Sequence, residues 1–529
     1  MGFGNEVANA LSVMRNEKQL YRDYLPEEAI HAGQMLVQCT EGLWSDVLKK
    51  IVKMVRDELP LEYPHVAVWW YSVLIRISKD EELFLEFVRY VRKRQETFSV
   101  NTRYFLFYQL SSLLFRFKEL DGESKEELWK FYREIVDNFA QYIEASLLEE
   151  IPVQERCKDV VVVITEQFIV LEHGPTKTAL DRCKALITEL GKKVLLINDA
   201  EVLSLVGRIP FYGAIRGNYM PEKRGEISQE WKGVVVPYYQ CENNMPNFEE
   251  VTNLVQKIRA IAPERIISIG KGGILANLAG RMIPMLTIGL CPSDLEYTTG
   301  KYQTLGRHLN KSDKRVLKEM GYTENHVIES IFTSSLKPQE EHIMRADIGI
   351  PENTFLMIVI GARLNFEVTS EFRNMLENLL EPDMHVGFLG EFDQYENYVS
   401  SFSKLKAQSS YLGFCSDILS RLEVCDLYVN PIRKGGGTSC VEAMFMGIPV
   451  VSVNYGDVAI NAGEEFCVED YTEMSEMILK YYSDKEFYHI KSLHARERAN
   501  VLLDTDREFV RIIHEMDRRE AESILHRSV

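Results

Sequence analysis

The sequence predicts an α/β protein in which two doubly wound, parallel-sheet domains follow an all-helical domain. The N-terminal part of the chain places apolar residues three and four apart with little glycine between them, which is typical of amphipathic helices. From Lys158, apolar runs of strand length alternate with helical segments, and after a connecting region this alternation begins again. A chain of 529 residues is also too long for one hydrophobic core.

We expect four units along the chain. They are an all-helical domain at 1–155, a first α/β domain at 156–335, a second α/β domain at 336–505 and a C-terminal helix at 506–529. Helical periodicity in the first unit covers 44–59, 80–95, 102–120 and 124–150. Its aromatic residues are expected to pack in the core, with a partner-binding surface as the alternative. These residues are Trp69, Trp70, Tyr71, Phe105, Phe107 and Tyr108.

The first α/β domain begins with a βαβ unit. The strand DVVVVITEQF is followed by the loop and helix HGPTKTALDRCKALITELG and then by the strand KKVLLIND. The continuous apolar run of the first strand favours a parallel sheet that is buried on both faces. Further strands are expected at 233–239, 265–270 and 285–290, with helices at 249–262 and 274–282.

The second α/β domain repeats this alternation. The expected strands are 355–364, 384–390, 425–431, 450–457 and 464–470, and the expected helices are 370–381, 416–424, 438–447, 472–484 and 486–503. Between the two domains, residues 312–350 form a connecting region, with a polar helix expected between Pro338 and Pro351.

Composition excludes several functional classes. The net charge of −18 argues against a nucleic-acid backbone or an anionic membrane as the main partner. The N-terminus lacks the basic and apolar segments of a signal peptide, and the apolar runs are too short to span a bilayer. The nine cysteines form no CxxC or Cys/His cluster, so we expect a reducing, cytoplasmic setting.

The most informative stretch is NPIRKGGGTSCVEAMFMGIPVVS, which starts at Asn430. It places three glycines between a strand and a helix, where ligands bind in parallel sheets. Glycines allow close approach of a ligand, and a helix N-terminus attracts phosphate. Thr438 and Ser439 offer hydroxyl donors. Gly435, Gly436 and Gly437 are therefore expected to line a diphosphate.

Charged residues flank this loop. Arg433 and Lys434 supply positive charge, and Glu442 lies a few residues into the helix. A carboxylate there is unsuited to phosphates but suited to the vicinal hydroxyl groups of a ribose. The alternative is a structural glycine turn with a buried glutamate whose hydrogen bonds are satisfied within the protein.

These residues resemble the nucleotide-sugar signature of GT-B glycosyltransferases, especially the large retaining family 4. The signature runs from the proline and the glycine-rich loop through E-A-M-x-x-G-x-P-V-V. Upstream, RADIGIPENTFLMIVIG, IGARLNFE and YLGFCSDILSRLEVCDLYVNP resemble further family elements in order and spacing. The match is good over 336–500 and extends over 156–335 only as a pattern.

The resemblance implies a metal-independent enzyme whose C-terminal domain binds a nucleotide-diphospho-sugar, with no cofactor. It implies that Arg363 contacts the diphosphate, that Leu412, Gly413 and Phe414 border the base, and that Glu442 holds the ribose. Two positions depart from the family. Lys434 stands where a glutamate is usual, and Glu367 stands near the place of a usual lysine. Retaining and inverting chemistry therefore both stay open.

A second resemblance concerns the acceptor. A helical domain ahead of a GT-B pair, with a Gly-Gly-Thr loop, is similar to bacterial cytoplasmic protein glycosyltransferases that modify adhesins and flagellins. This implies a UDP-sugar donor and a hexose or N-acetylhexosamine transferred to Asn, Ser or Thr side chains. A glycan acceptor is the alternative. The helical domain is expected to mediate protein contacts or oligomerisation.

Two loops of the first α/β domain are expected to face the cleft. In EHGPTKT, His173 is the candidate general base, next to Gly174, or else a capping or surface histidine. In IGKGGILANLAG, Lys271 reaches a phosphate or is merely solvated, and Gly272 shapes the cleft. Lys434 is the second candidate catalytic residue, through charge on the departing diphosphate. Nearby polar candidates in PSDLEYTT are Asp294, Tyr297 and Thr298.

The string Asp504-Thr505-Asp506 has the DxD pattern of metal-binding glycosyltransferases of another fold. It precedes the final helix, where Asp and Thr commonly act as caps, so no catalytic metal is expected. The sequence thus favours a nucleotide-sugar-dependent glycosyltransferase. The alternatives are a non-catalytic scaffold that binds glycans or partner proteins, and a nucleotide-sugar epimerase.

Overall fold

A computed structural model describes residues 27–40, 43, 45–120, 123–171, 173–201, 220–243 and 245–527. The helical domain has six described helices, all within the predicted all-helical region. They are α1 (Glu27–Thr40), α2 (Ser45–Asp57), α3 (Pro64–Ser78), α4 (Glu81–Arg92), α5 (Val100–Arg116) and α6 (Ser124–Ala140). Asp80 and Ser99 cap α4 and α5, because their side chains accept backbone N–H groups of the first turn.

The helical domain packs directly on the first α/β domain. Trp129 and Tyr132 of α6 belong to one continuous core with Val162 and Ile266 of the first sheet. Of the aromatic residues predicted to be core, five are buried, and Tyr108 is half-buried. This shared core makes the helices a fixed wall against the sheet.

The first sheet has eight strands in the order β3-β4-β2-β1-β5-β6-β7-β8, parallel except for the β3–β4 pair. The strands are β1 (Cys157–Thr165), β2 (Lys193–Asn198), β3 (Gly225–Trp231), β4 (Val234–Gln240), β5 (Pro263–Ile269), β6 (Met285–Ile288), β7 (Tyr302–Leu305) and β8 (Val327–Glu329). The helices are α7 (Gly174–Thr188), α8 (Phe248–Ile261), α9 (Ile274–Met282) and α10 (Lys311–Glu319).

The second sheet has six parallel strands in the order β11-β10-β9-β12-β13-β14. The strands are β9 (Phe355–Gly361), β10 (Met384–Gly390), β11 (Ser409–Gly413), β12 (Leu427–Asn430), β13 (Val450–Val453) and β14 (Cys467–Val468). The helices are α11 (Leu364–Glu367), α12 (Ser370–Leu379), α13 (Tyr395–Val399), α14 (Ser403–Ala407), α15 (Ile418–Leu422), α16 (Gly437–Phe445), α17 (Gly456–Ala462), α18 (Tyr471–Ser483) and α19 (Lys485–Leu502).

Both sheets have the strand order of doubly wound nucleotide-binding folds, so the predicted fold class is confirmed. The order of strands reverses beside β1 in the first sheet and beside β9 in the second. Crevices at such points are where α/β sheets bind ligands.

The polar helix predicted between Pro338 and Pro351 is wrong. That segment is irregular apart from a short 3-10 turn at Arg345–Ile348. The N–H groups of Glu340 and Glu341 donate to the Asp417 carboxylate at 2.9 and 3.0 Å. Because its backbone finds partners in the second α/β domain, the segment has no need of helical hydrogen bonds.

The last helix, α20 (Thr505–Arg527), returns to the first α/β domain. Phe509, Ile512 and Met516 join the core against the first sheet, and Arg265 pairs with Asp517 at 2.7 Å. Within the described residues, no helix combines the length and apolarity needed to cross a bilayer.

Candidate active site

A cavity of about 730 Å³ lies between the two sheets, at the carboxyl ends of their strands. Helices α5 and α6 of the helical domain form a third wall. Its lining includes most of the predicted site residues: His173, Gly174, Lys271, Arg363, Phe414, Lys434, Gly435, Gly436, Gly437, Thr438, Ser439 and Glu442. Gly413 and Gly272 do not line it.

Gly435 and Gly436 leave room for arginine side chains of the protein itself. Gly436 has a φ of +99°, and a Cβ atom added there would lie 2.6 Å from Nη2 of Arg433. A Cβ atom at Gly435 would lie 2.7 Å from Nη2 of Arg363. The loop therefore lacks side chains partly because two guanidinium groups occupy the space beside it.

Arg433 is a structural residue beneath the loop. Its guanidinium donates to Asn430, Glu367, the Ile360 carbonyl and the Tyr428 hydroxyl at 2.6–2.9 Å. Arg433 is only 6% exposed. Its charge is therefore compensated by these protein groups, and the side chain holds the loop between β9 and β12. A direct contact with phosphate is thus less favoured for Arg433 than for the arginine on the other side of the loop.

That arginine is Arg363, which follows β9. Its Nη2 atom lies 3.1 Å from Glu367, its guanidinium stacks over the Phe115 ring of α5, and its side chain is 36% exposed. Burial alone would raise the pKa of Glu367, but Arg433 and Arg363 together hold it below its usual value. Glu367 thus fixes both arginines, and Arg363 keeps a face toward the cavity.

The N-termini of two helices face each other across the cleft. A Cβ atom at Gly174, the first residue of α7, would lie 3.8 Å from Oγ1 of Thr438 in the first turn of α16. The Ser439 hydroxyl is already bonded to Gly436 and Tyr428. Two sets of free N–H groups and two positive dipole ends meet here, which is a favourable place for an anion.

Glu442 lies next to this point, on α16. It is 7% exposed, and no hydrogen bond or ion pair of its carboxylate occurs among the described residues. Burial raises its pKa to about 7, although the Lys177 ammonium opposes the shift. A buried carboxylate without protein partners costs stability, which is typical of a group kept for a ligand.

His173 precedes α7 as its N-cap residue, but its side chain makes no capping hydrogen bond. Its Nδ1 atom is buried and has no partner among the described residues. Burial and then the Lys177 charge lower the pKa of His173 below its ordinary value. The imidazole is therefore neutral near pH 7 and able to accept a proton.

Lys271 lies among acids that sequence reasoning missed. Its Nζ atom donates to Ser111 of α5 at 2.8 Å, and the cavity wall beside it includes Glu166 and Glu296. Burial raises the pKa of Glu166 to about 7, and the Lys271 charge opposes this shift. The available signal was the position of Glu166 directly after β1, at the end of a strand next to the switch point.

Gly272 lies under this wall and not in it. Its carbonyl accepts hydrogen bonds from Asn277 and from the Tyr132 hydroxyl of α6. The following helix N-terminus is capped by Glu201, which accepts the Ile274 and Leu275 N–H groups at 2.7 and 2.9 Å. The hydrogen-bonding groups of this glycine loop are thus occupied by side chains of the protein itself.

The candidate base-binding segment lies at the cavity mouth. Phe414 is 80% exposed and lines the cavity, while Gly413 has a φ of +70° with open space around it. Leu412 is half-buried against the core of the second sheet. Phe414 therefore offers a free aromatic face to a ligand.

The DxD string lies outside the cavity. Asp506 pairs with Lys184 at 2.7 Å at the start of α20. In the part of the chain that the structure describes, no group of three or more His, Cys, Asp or Glu side chains is arranged to hold a metal ion. Independence from a metal stays a prediction.

Comparison with known proteins bears on the fold and on the second α/β domain. Residues 362–484 match the family model of glycosyl transferases group 1. No curated protein matches the chain in sequence. The structure of a mutant Thermobaculum terrenum O-GlcNAc transferase is similar, with a TM-score of 0.57 and 11% identity, over 100% of this chain and 98% of that one. A Rickettsia africae glycosyltransferase gives a TM-score of 0.51 and 12% identity, over 68% of this chain and 98% of that one.

The chain has the fold of the GT-B glycosyltransferases. Within that class, residues 362–484 form a glycosyl transferases group 1 domain, which confirms the resemblance drawn from the sequence. At these low identities, the likeness to the two solved structures shows the fold alone.

Proposed function

We propose that the protein transfers a hexose or N-acetylhexosamine from a UDP-sugar to a hydroxyl or amide group of an acceptor, with a protein side chain as the first acceptor class to test. The observation that carries the proposal is Glu442, a buried carboxylate that has no partner among the described residues and lies beside two facing helix N-termini. Such a carboxylate suits ribose hydroxyl groups, and the helix N-termini suit the diphosphate.

The remaining residues fit defined roles in this reaction. Arg363 and the N–H groups of α16 would stabilise the negative charge that develops on the departing diphosphate. His173 would take the proton of the acceptor group, since its imidazole is neutral near pH 7. The acceptor-side wall would be Glu166, Lys271 and Ser111, so the helical domain contributes to that wall.

The test is a panel of UDP-, GDP- and ADP-sugars, measured by thermal shift and by donor hydrolysis. The fold neighbour that covers the whole chain is named an O-GlcNAc transferase, so UDP-N-acetylglucosamine belongs in the panel. Intact-mass analysis of candidate acceptor proteins, compared with glycolipids, follows. If no nucleotide-sugar stabilises the protein or is turned over, the proposal is wrong.

A non-catalytic scaffold is the second candidate, because Lys434 stands where the resembled family has an acid. Donor hydrolysis that disappears in Glu442→Ala would exclude it. An epimerase would instead form product from the donor alone, without any acceptor.

Replacing His173 with Gln is expected to lower kcat by roughly 10²- to 10⁴-fold, the usual contribution of a general base, with little change in donor Kd. Because the pKa of His173 lies below 6.5, wild-type kcat should fall only as pH drops below that value. Glu166→Gln is the matched variant on the acceptor wall. If it removes the activity while His173→Gln does not, Glu166 takes the proton instead.

Replacing Phe414 with Ala is expected to weaken UDP binding by about tenfold, because stacking of a base on an aromatic ring contributes about 1–3 kcal/mol. Stability should not change, since the side chain is 80% exposed. Isothermal titration with UDP and with inorganic pyrophosphate separates the effects, because pyrophosphate has no base. Equal weakening of both ligands would contradict a stacking role.

A further inference from the structure

Three parts of the molecule meet at one carboxylate beside the glycine loop. Asp294 of the first α/β domain lies 3.0 Å from Nζ of Lys434 in the loop. It lies 3.1 Å from Nζ of Lys125, the second residue of α6 in the helical domain. All three side chains line the cavity, and those of Lys434 and Lys125 are only 5% and 13% exposed.

The charges in this trio do not cancel. Lys434 and Asp294 alone would be neutral, and Lys125 adds one positive charge. Burial by itself would raise the pKa of Asp294, but Lys125 and Lys434 hold it well below its usual range, so the carboxylate stays ionised. The helical domain therefore supplies one of the two cations that keep Asp294 ionised beside the loop.

Two neighbouring acids, Asp457 and Glu296, line the same cavity. Burial raises the pKa of Asp457 to about 7, against hydrogen bonds from Ser293. Burial also raises the pKa of Glu296, against the charges of Lys271 and Lys125. Burial thus disfavours the charged form of both carboxyl groups.

The position of Lys125 in its helix also indicates that its charge serves the contact with Asp294. A cation in the first turn of a helix is disfavoured by the dipole, typically by about 0.3–1 kcal/mol. Lys125 lies in that turn of α6, where its charge is compensated by Asp294. Considered alone, the helix dipole would favour a residue without positive charge at this position.

The segment that contains Ser293 and Asp294 also helps to hold the backbone of the glycine loop. The Asp457 N–H group donates to the Lys434 carbonyl at 2.7 Å, and the Asp457 carboxylate accepts the Ser293 hydroxyl at 2.7 Å. Ser293 and Asp294 thus contact the glycine loop through both Asp457 and Lys434. A displacement of Asp294 would be transmitted to the loop that faces the ligand.

We infer that Lys125 is a positioning residue for the diphosphate of the donor. It acts through Asp294 on Lys434, so the helical domain is part of the donor site and not only an acceptor or partner module. This inference rests on the proposed function, since it assigns the cavity beside the loop to a diphosphate.

The test compares Lys125→Ala with the conservative Lys125→Arg and with Lys130→Ala, a control on the same helix whose lysine pairs with Glu126. Titration calorimetry with UDP, inorganic pyrophosphate and uridine is combined with thermal unfolding. Lys125→Ala should weaken UDP and pyrophosphate by roughly tenfold, as expected for one unit charge at an intermediate dielectric constant. Uridine binding should stay unchanged, and Lys125→Arg and Lys130→Ala should bind like the wild type.

Three results would overturn the inference. They are unchanged pyrophosphate binding in Lys125→Ala, equal weakening of uridine, and a wild-type protein that binds no diphosphate in any form. Lys125-dependent pyrophosphate binding in a protein that turns over no nucleotide-sugar would support the inference and contradict only the proposed function.

Discussion

Replacing Glu442 with Gln is expected to remove most nucleotide-sugar binding and at the same time to stabilise the free protein. Hydrogen bonds to a charged group contribute about 1.5–3 kcal/mol each, so losing the carboxylate that accepts two ribose hydroxyl groups should raise the donor Kd by roughly 100-fold or more. The amide keeps the shape of the side chain. The loss therefore reports on its charge and its accepting capacity.

The gain in stability follows from the raised pKa of Glu442. Its pKa is about 7 in the folded protein, above its ordinary value of 4.5. The unfolded chain therefore loses this proton first as pH rises, and the folded state loses stability between those two pKa values. Above pH 7 the accumulated cost is on the order of 3 kcal/mol, and Glu442→Gln avoids it.

Thermal unfolding and UDP titration at pH 5 and pH 8 check both effects. The variant should unfold at a higher temperature than the wild type at pH 8, and the difference should shrink toward pH 5. Glu464→Gln is the control, because Glu464 is an exposed carboxylate in the same domain. A variant that binds UDP like the wild type would contradict the assignment of the ribose site.

Replacing Arg433 with Met is expected to destabilise the second α/β domain and to disorder the glycine loop. The guanidinium makes four buried hydrogen bonds, and its loss leaves Glu367 buried with fewer partners. Breaking a buried ion pair typically costs about 3–5 kcal/mol. We expect about 3 kcal/mol, since Arg363 still lies 3.1 Å from Glu367.

Urea unfolding followed by circular dichroism measures this cost, and UDP titration reports on the loop. The double variant Arg433→Met with Glu367→Leu should recover at least half of the lost stability, because it leaves no uncompensated charge. A cost of the double variant equal to the sum of the two single costs would show that the pair acts only through packing.

Much of the fold was predictable because buried parallel strands are continuous apolar runs. Strands β1, β5 and β10 were predicted within two or three residues, since their apolar runs are bounded by charged residues or glycine. Strand β3 was not predicted, because its pattern GEISQEW is that of a half-exposed edge strand. The segment between Pro338 and Pro351 was wrongly predicted to be a helix, since its backbone hydrogen bonds go to distant residues such as Asp417.

The position of the candidate site around the cavity was predictable to a similar degree. Local sequence was sufficient for the loop and for Glu442, because a strand, a glycine run and a helix follow one another along the chain. It was insufficient for Glu166 and Lys125, which carry no motif. Their place in the cavity depends on which strand ends and helices meet in space.

The sequence by itself therefore determined the class of domain, the glycine loop and the helix that follows it, since these arise from contiguous residues. Only the tertiary structure decided that α20 packs on the first α/β domain and that Arg433 is structural. It also decided that Lys125 of the helical domain pairs with Asp294, which in turn pairs with Lys434 of the glycine loop. Each of these depends on contacts between residues far apart in the chain. Such contacts are set by the packing of whole domains, which leaves no local pattern in the sequence.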